Sequence, residues 1–262
     1  MPDTDHVHVT VDDAVGRLVM DRPDRYNAMD PPMARAIASG LDRLAGADDV
    51  RCIVLTGTGA AYNTGADLST LSGDASDRDA IDDIVRPLHR SVRTLARAPK
   101  PVVAGVNGVV AGGGLGLAVA PDIVVLSENA RFEYAYPSIG LSGDGGITWL
   151  LSRLIGLRRT QRFVLLDEPI GPDQALESGL VTEVVEPDAL DDRVSTLAKR
   201  LATGPTKAYA RIRRLLVEGT DRSLSRHLDR EREYLTGLTR TADYATGIDA
   251  FGDENDPEFV GR

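Results

Sequence analysis

Three unbroken apolar runs constrain this chain more than any other feature: Cys52-Ile53-Val54-Leu55, Val102-Val103-Ala104-Gly105-Val106 and Ile123-Val124-Val125-Leu126. None alternates with polar residues, so each reads as a strand buried on both faces. Helical patterns lie between them. Asp30-Pro31-Pro32 opens one whose apolar members include Met33, Ile37, Leu41 and Leu44, with the prolines in a tolerated first turn. Ile81, Ile84, Val85, Leu88, Val92 and Leu95 mark a second, stopped by Pro99-Lys100-Pro101. A short third follows Gly112-Gly113-Gly114 and runs to Ala120. Ahead of all of this, Val7–Val11 and Val15–Met20 flank Asp12-Asp13 like a hairpin. The pattern predicts an α/β fold of parallel strands covered on both faces. From about Asp188 the chain reads as helices rich in Arg, Leu and Glu, two of them separated by Gly204-Pro205, and the polar tail Gly252 to Arg262 is expected to be loose.

The 262 residues are 42% apolar, enough for a full core, and carry a formal net charge of -10. Such a surface repels nucleic acid and anionic membranes. It would also repel an anionic ligand unless arginines gather locally; lysine occurs only at Lys100, Lys199 and Lys207. Cys52 stands alone, so no intrachain disulfide is possible, and its apolar run makes it a core residue. Met1-Pro2-Asp3-Thr4-Asp5 lacks the apolar stretch of a secretory leader, and no segment reaches the ~20 apolar residues of a membrane span. A soluble, cytoplasmic protein is expected.

Several motifs fail. Gly57-Thr58-Gly59 follows a strand, but Tyr62 occupies the sixth position of a dinucleotide fingerprint. No lysine follows a glycine cluster as in a phosphate-binding loop, and no G-x-S-x-G elbow occurs. His6, His8, His89 and His227 are scattered; no metal site is expected, and His89 is read as solvated helix surface.

Three other segments belong together. Ala60-Ala61-Tyr62-Asn63-Thr64-Gly65-Ala66-Asp67-Leu68 follows one buried strand. Asn107-Gly108-Val109-Val110-Ala111-Gly112-Gly113-Gly114-Leu115-Gly116 leads from another into a helix, and Ile139-Gly140-Leu141-Ser142-Gly143-Asp144-Gly145-Gly146 comes last. Small residues let a ligand reach the backbone, and a helix start exposes unpaired N–H groups. Two N–H groups aimed at one point form an oxyanion hole, suited to reactions that build negative charge on a carbonyl oxygen.

With these segments in view the chain resembles the crotonase family, the enoyl-CoA hydratase and isomerase superfamily. The likeness runs through Asp21-Arg22-Pro23-Asp24-Arg25-Tyr26-Asn27-Ala28-Met29, Lys100 to Gly108, Pro121-Asp122-Ile123, Ala175 to Val181 and Gly204-Pro205-Thr206-Lys207-Ala208. It implies a spiral of β/β/α turns over residues 1–200 and a C-terminal helical region, 201–262, that builds trimers or hexamers. It implies that the N–H groups of Ala66 and Gly113 form the oxyanion hole. Arg25, Ala28, Asn63, Thr64, Gly65, Asp67, Leu68, Gly112 and Tyr136 are expected around the acyl-coenzyme A, which is substrate; no further cofactor is expected.

Two glutamates of the family's hydratases are replaced here by Gly116 and Tyr136. Asp144 remains, where a subset resembling the ring-opening isomerases of phenylacetate degradation carries an aspartate; Gly143 replaces the usual proline and is expected to loosen the loop. A single carboxylate suits a 1,3-proton shift: Asp144 would take the C2 proton of a 3-enoyl thioester and return one at C4. Alternatives stay open. The chain could be of the enoyl-CoA hydratase type. Asp144 could act as a nucleophile, as in the family's aryl-CoA dehalogenases, where Tyr136 stands at an aromatic position but His89 falls about one helical turn early. Or the chain could bind acyl-CoA without catalysis.

Arg25 and Arg262 are expected to serve the coenzyme, because Asp253 to Glu258 is acidic where relatives carry a basic residue. Leu215, Leu216, Leu224, Leu228, Leu235 and Leu238 offer apolar surface for a partner copy. The Asp-rich stretch Ser69 to Asp83 is expected to form a mobile flap over the acyl group.

Overall fold

The apolar runs do become the middle of a parallel sheet. In the computed structural model, which describes residues 5–219, 221–253 and 255–262, six strands lie in the order β1-β2-β3-β5-β7-β9. The acidic start Met1 to Thr4, like Thr220 and Glu254, lies outside the described residues. β1 (Val7–Asp12) and β2 (Val15–Met20) form the expected antiparallel hairpin, with Asp12 opposite Val15. Asp13 and Ala14 both take left-handed φ, +46° and +63°, the turn geometry that matches strand twist. β3 (Cys52–Gly57), β5 (Val102–Val106), β7 (Ile123–Ser127) and β9 (Glu183–Val185) then add in parallel.

A second sheet of three short parallel strands, β4 (Ala61–Asn63), β6 (Val109–Ala111) and β8 (Phe132–Glu133), runs beside the first. Each turn of the spiral sends one strand to each sheet: β3 then β4, β5 then β6, β7 then β8. This is the β/β/α spiral that the sequence leads one to expect.

The alternation hidden inside the apolar runs appears in the packing. Ile53, Leu55, Val102, Ala104 and Leu126 face a core shared with α1 (Pro31–Gly46), α2 (Asp77–Arg97) and the small sheet. Cys52, Val54, Val103 and Val125 face Leu190, Val194, Ala198 and Ala202 of α7 (Leu190–Ala202). A strand buried on both faces needs no polar side, so its sequence shows no period of two. Burial pushes the Cys52 thiol up to about 12, as expected of an inert core cysteine.

The remaining helices follow in order: α3 (Gly114–Val119), α4 (Ile147–Leu154), α5 (Leu157–Leu166), α6 (Pro172–Glu177), and after α7, α8 (Thr206–Gly219), α9 (Leu224–Leu238) and α10 (Ala242–Asp253). The described part of the tail is not loose. Val260 N–H (2.8 Å) and Gly261 N–H (3.0 and 3.1 Å) donate to the buried carboxylate of Asp243, and Arg51 donates to Phe259 O at 3.1 Å. A buried carboxylate needs donors, and the returning backbone supplies them. The Ser69 to Asp83 stretch is also more ordered than expected. It holds a 3-10 turn at Leu68–Thr70 and the start of α2, and Asp77 accepts from Ser72 N–H and Gly73 N–H at 2.8 and 2.7 Å. Its aspartates close turns rather than loosen them. Among the described residues no helix is long and apolar enough to cross a membrane, and no cluster of side chains could hold a metal ion.

Candidate active site

The loop after β4 and the start of α3 meet backbone to backbone. Gly65 takes φ +83° and Gly112 φ +52°, conformations that glycine adopts without strain. A Cβ on Gly65 would sit 2.9 Å from Gly113 N, and one on Gly114 would lie 2.2 Å from Asn63 O. Side chains there would force the segments apart, which is why the run is glycine.

The expected donors sit at this junction. Met29 N–H donates to Gly65 O (2.7 Å) and Asp67 N–H to Met29 O (2.9 Å), a bridge that skips the N–H of Ala66. At α3, Gly112 N–H donates to Glu133 O, whereas Gly113 N–H precedes the first helical bond. Among the described residues neither Ala66 N–H nor Gly113 N–H has an acceptor.

Asp144 faces this junction. A Cβ on Gly113 would be 3.2 Å from Asp144 Oδ1. The same oxygen accepts a short hydrogen bond from the Tyr136 hydroxyl. Burial raises the Asp144 carboxyl above its ordinary 3.8, against the Tyr136 hydrogen bond and the nearby His89, which pull it down. Burial, then the Asp144 charge, push the Tyr136 phenol well up, so it stays a donor. Tyr136, expected at the ligand, is the group that holds the carboxylate.

Gly143 suits the path of the loop carrying Asp144. Gly143, Gly145 and Gly146 take φ of +93°, +61° and +72°, and proline is locked near -65°. The Tyr134 hydroxyl donates to Ser142 O at 2.5 Å, and Gly145 N–H donates to His89 Nε2 at 3.3 Å. His89 therefore lies at the site, half-buried against the Asp144 loop, not on solvated surface. α2 brings Leu88 against Gly113 and His89 against Gly145. Its neighbours Leu88 and Val92 on the buried face were the available signal.

Gly116, where a second acid would stand, is filled from outside. A Cβ there would lie 2.4 Å from Gly145 O and 3.0 Å from Val92 Cγ2. The missing glutamate is thus coupled to a closed loop.

Two residues expected at the ligand turn inward. Asn63 is fully buried; its amide donates to Asn27 O (2.7 Å) and accepts from Gly65 N–H (2.9 Å). The Asp67 carboxylate accepts from Arg22 (2.9 Å) and from Ser69 N–H (3.1 Å), which holds it below the usual carboxylate range, the Ser69 hydroxyl contributing most. Both are needed to satisfy buried polar groups of the loop, so their side chains serve its shape. Arg22, which the sequence singled out only within a family motif, is the half-buried partner, bonding Ala28 O as well (2.8 Å). Arg25 and Leu68 are exposed, and Ala28 and Thr64 are half-buried. Thr64 Oγ1 donates to Tyr26 O at 3.2 Å.

Known proteins share this arrangement of sequence. The model of the enoyl-CoA hydratase/isomerase family matches residues 10–262. A 1,2-epoxyphenylacetyl-CoA isomerase of Escherichia coli K12 is 36% identical over 257 residues, covering 96% of this chain and 97% of that protein. A 4-chlorobenzoyl coenzyme A dehalogenase of an Arthrobacter species is 33% identical over 221 residues, covering 84% and 80%. The crystal structure of a putative enoyl-CoA hydratase/isomerase from Mycobacterium abscessus superposes with a TM-score of 0.93 at 33% identity, covering 98% of this chain and all of that one.

Proposed function

The chain belongs to the enoyl-CoA hydratase/isomerase family, and we propose that within it this protein is an enoyl-CoA isomerase driven by one carboxylate. The thioester oxygen accepts from the N–H groups of Ala66 and Gly113. That stabilises the enolate formed when Asp144 removes the C2 proton, and Asp144 then returns a proton at C4. Losing one such donor costs on the order of a hundredfold in rate. The coenzyme lies across Arg25, Ala28, Thr64 and Leu68, and Gly65 and Gly112 let it approach the backbone. No cofactor beyond the acyl-CoA substrate is required, and the reaction is a cytoplasmic one.

The observation that carries this reading is Asp144 itself: a half-buried carboxylate with a raised pKa, close against Gly113, whose N–H has no acceptor among the described residues. Addition of water needs a second acid to protonate or activate it. Gly116 and Tyr136 supply none, and Gly145 O fills the space beside Gly116. A carboxylate whose pKa is raised is a stronger base when ionised and returns its proton readily, as a two-way proton carrier must.

One observation favours a second reading, in which Asp144 is a nucleophile toward a haloaryl-CoA. His89 lies against the Asp144 loop and could activate water to cleave the resulting aryl ester. A relative is named a 4-chlorobenzoyl coenzyme A dehalogenase.

The test is direct. Purified protein is given 3-enoyl-CoA, 2-enoyl-CoA and 4-chlorobenzoyl-CoA. Isomerisation without hydration, abolished in Asp144→Asn and kept within tenfold in His89→Gln, supports the isomerase. Halide release lost in both variants supports the nucleophilic reading. Tight coenzyme A binding with no turnover of any thioester leaves a binding protein and refutes both.

A further inference from the structure

Tyr134 touches none of the groups assigned to the reaction, yet its contacts converge on Asp144. Its hydroxyl donates to Ser142 O at 2.5 Å, two residues ahead of Asp144. Its ring lies 5.0 Å from the Tyr136 ring, tilted by 57°, and meets Phe163 edge-on at 6.0 Å. Tyr136 in turn donates to Asp144 Oδ1. Tyr134 thus reaches the carboxylate by two routes, the loop backbone and the neighbouring phenol.

The loop cannot set its own shape. Gly143, Gly145 and Gly146 bring no side chains to pack, and all three take left-handed φ. After Asp144 the loop is held by His89 Nε2 and by Gly145 O against Gly116. Before Asp144 it is held by Leu141 N–H on Tyr136 O (3.0 Å) and by the Tyr134 hydroxyl on Ser142 O. Gly143 is shaped to this hydroxyl: a Cβ there would lie 2.2 Å from the Tyr134 oxygen. The tyrosine itself is anchored next door, where Ala135 takes φ +64° and its N–H donates to the Asp167 carboxylate at 2.7 Å. Tyr134 is only 3% exposed, so its hydroxyl must find a partner, and the one it finds is this loop.

We propose that Tyr134 is a positioning residue, whose hydroxyl and ring together fix the Ser142–Gly143 backbone and Tyr136 so that Asp144 is held against Gly113. The inference rests on Asp144 being the group that carries the proton.

The test compares Tyr134→Phe, which keeps the ring, with Tyr134→Leu, which removes both ring and hydroxyl. For 3-enoyl-CoA, kcat is expected to fall roughly tenfold in the first and roughly a hundredfold in the second, with KM within twofold. The carboxyl of Asp144 is titrated separately, without substrate, by infrared difference against Asp144→Asn; its midpoint is expected to move in Tyr134→Phe. Wild-type kcat and an unmoved midpoint in Tyr134→Phe overturn the proposal. So does a lower kcat with the midpoint unmoved, which marks a merely structural residue. If the native protein turns over no enoyl-CoA, the isomerase reading falls, and the substrate-free titration alone decides the role of Tyr134.

Discussion

Asp144 reverses the usual relation between a carboxylate and stability. Its folded pKa lies above its ordinary 3.8, so what it contributes to stability is present at low pH and is lost as pH rises through the folded value. Asp144→Asn is therefore expected to be at least as stable as the native chain at neutral pH while losing isomerase activity; thermal melts and an enoyl-CoA assay measure the two effects. The acid limb of kcat/KM should fall above the ordinary carboxylate range, because the base must be ionised to act. Asp67 behaves oppositely. Its folded pKa is depressed, so its contribution is present above 3.8 and lost as pH falls through the lower folded value. At this scale the sequence led to the place where Asp144 and Gly113 meet: the family likeness pointed to Ala66, Gly113 and Asp144, and the structure brings Asp144 against Gly113. The sequence was not legible for Asn63 and Asp67. An acid or amide in a ligand loop looks the same whether it meets a ligand or caps the loop from inside.

Elements explain why the site has these limits. α3 and the Asp144 loop close on each other at Gly116, where any side chain meets Gly145 O. Gly116→Glu is accordingly expected to gain no hydratase activity and to lose isomerisation, with a stability cost of about 1–3 kcal/mol from overpacking; hydration and isomerisation assays with a denaturant titration check this. Hydratase-like rates in that variant would show that the loop yields. Other family motifs join elements. Lys100 caps the end of α1 through Leu44 O (3.1 Å) and Ala47 O (2.6 Å). Asp122 ties Val102 N–H at the start of β5 (2.7 Å) to Arg213 of α8. Arg213 also donates to Leu95 O and Ala98 O at the end of α2 and is buried. Arg213→Ala leaves those acceptors unmet, and a loss of about 3 kcal/mol in chemical denaturation is expected. His89 shows what periodicity misses: its place on α2 is visible in sequence, but the loop that crosses it comes 56 residues later.

The whole molecule leaves its last helices half-clothed. Leu216, Leu224 and Leu235 are more than 70% exposed, Leu228 is 52% exposed and Phe251 86%, while Leu215 and Leu238 are half-buried. Isolated exposed leucines are ordinary, but several on successive helices call for a partner. The protein is expected to run as a trimer or hexamer, and Leu228→Glu with Leu235→Glu to drop it to a smaller species in light scattering coupled to gel filtration. A monomer at micromolar native protein would contradict this.

The sequence by itself determined the parallel sheet, the hairpin before it and the glycine-rich loops. Strands buried on both faces must be apolar throughout, and backbone that meets backbone must be glycine. Only the tertiary structure decided which polar groups face the ligand and which face inward. It alone placed His89 and Tyr134 around Asp144 and closed Gly145 over Gly116. Those contacts join segments far apart in the chain, and a residue's type says what it can bond with, not which distant segment will arrive to bond with it.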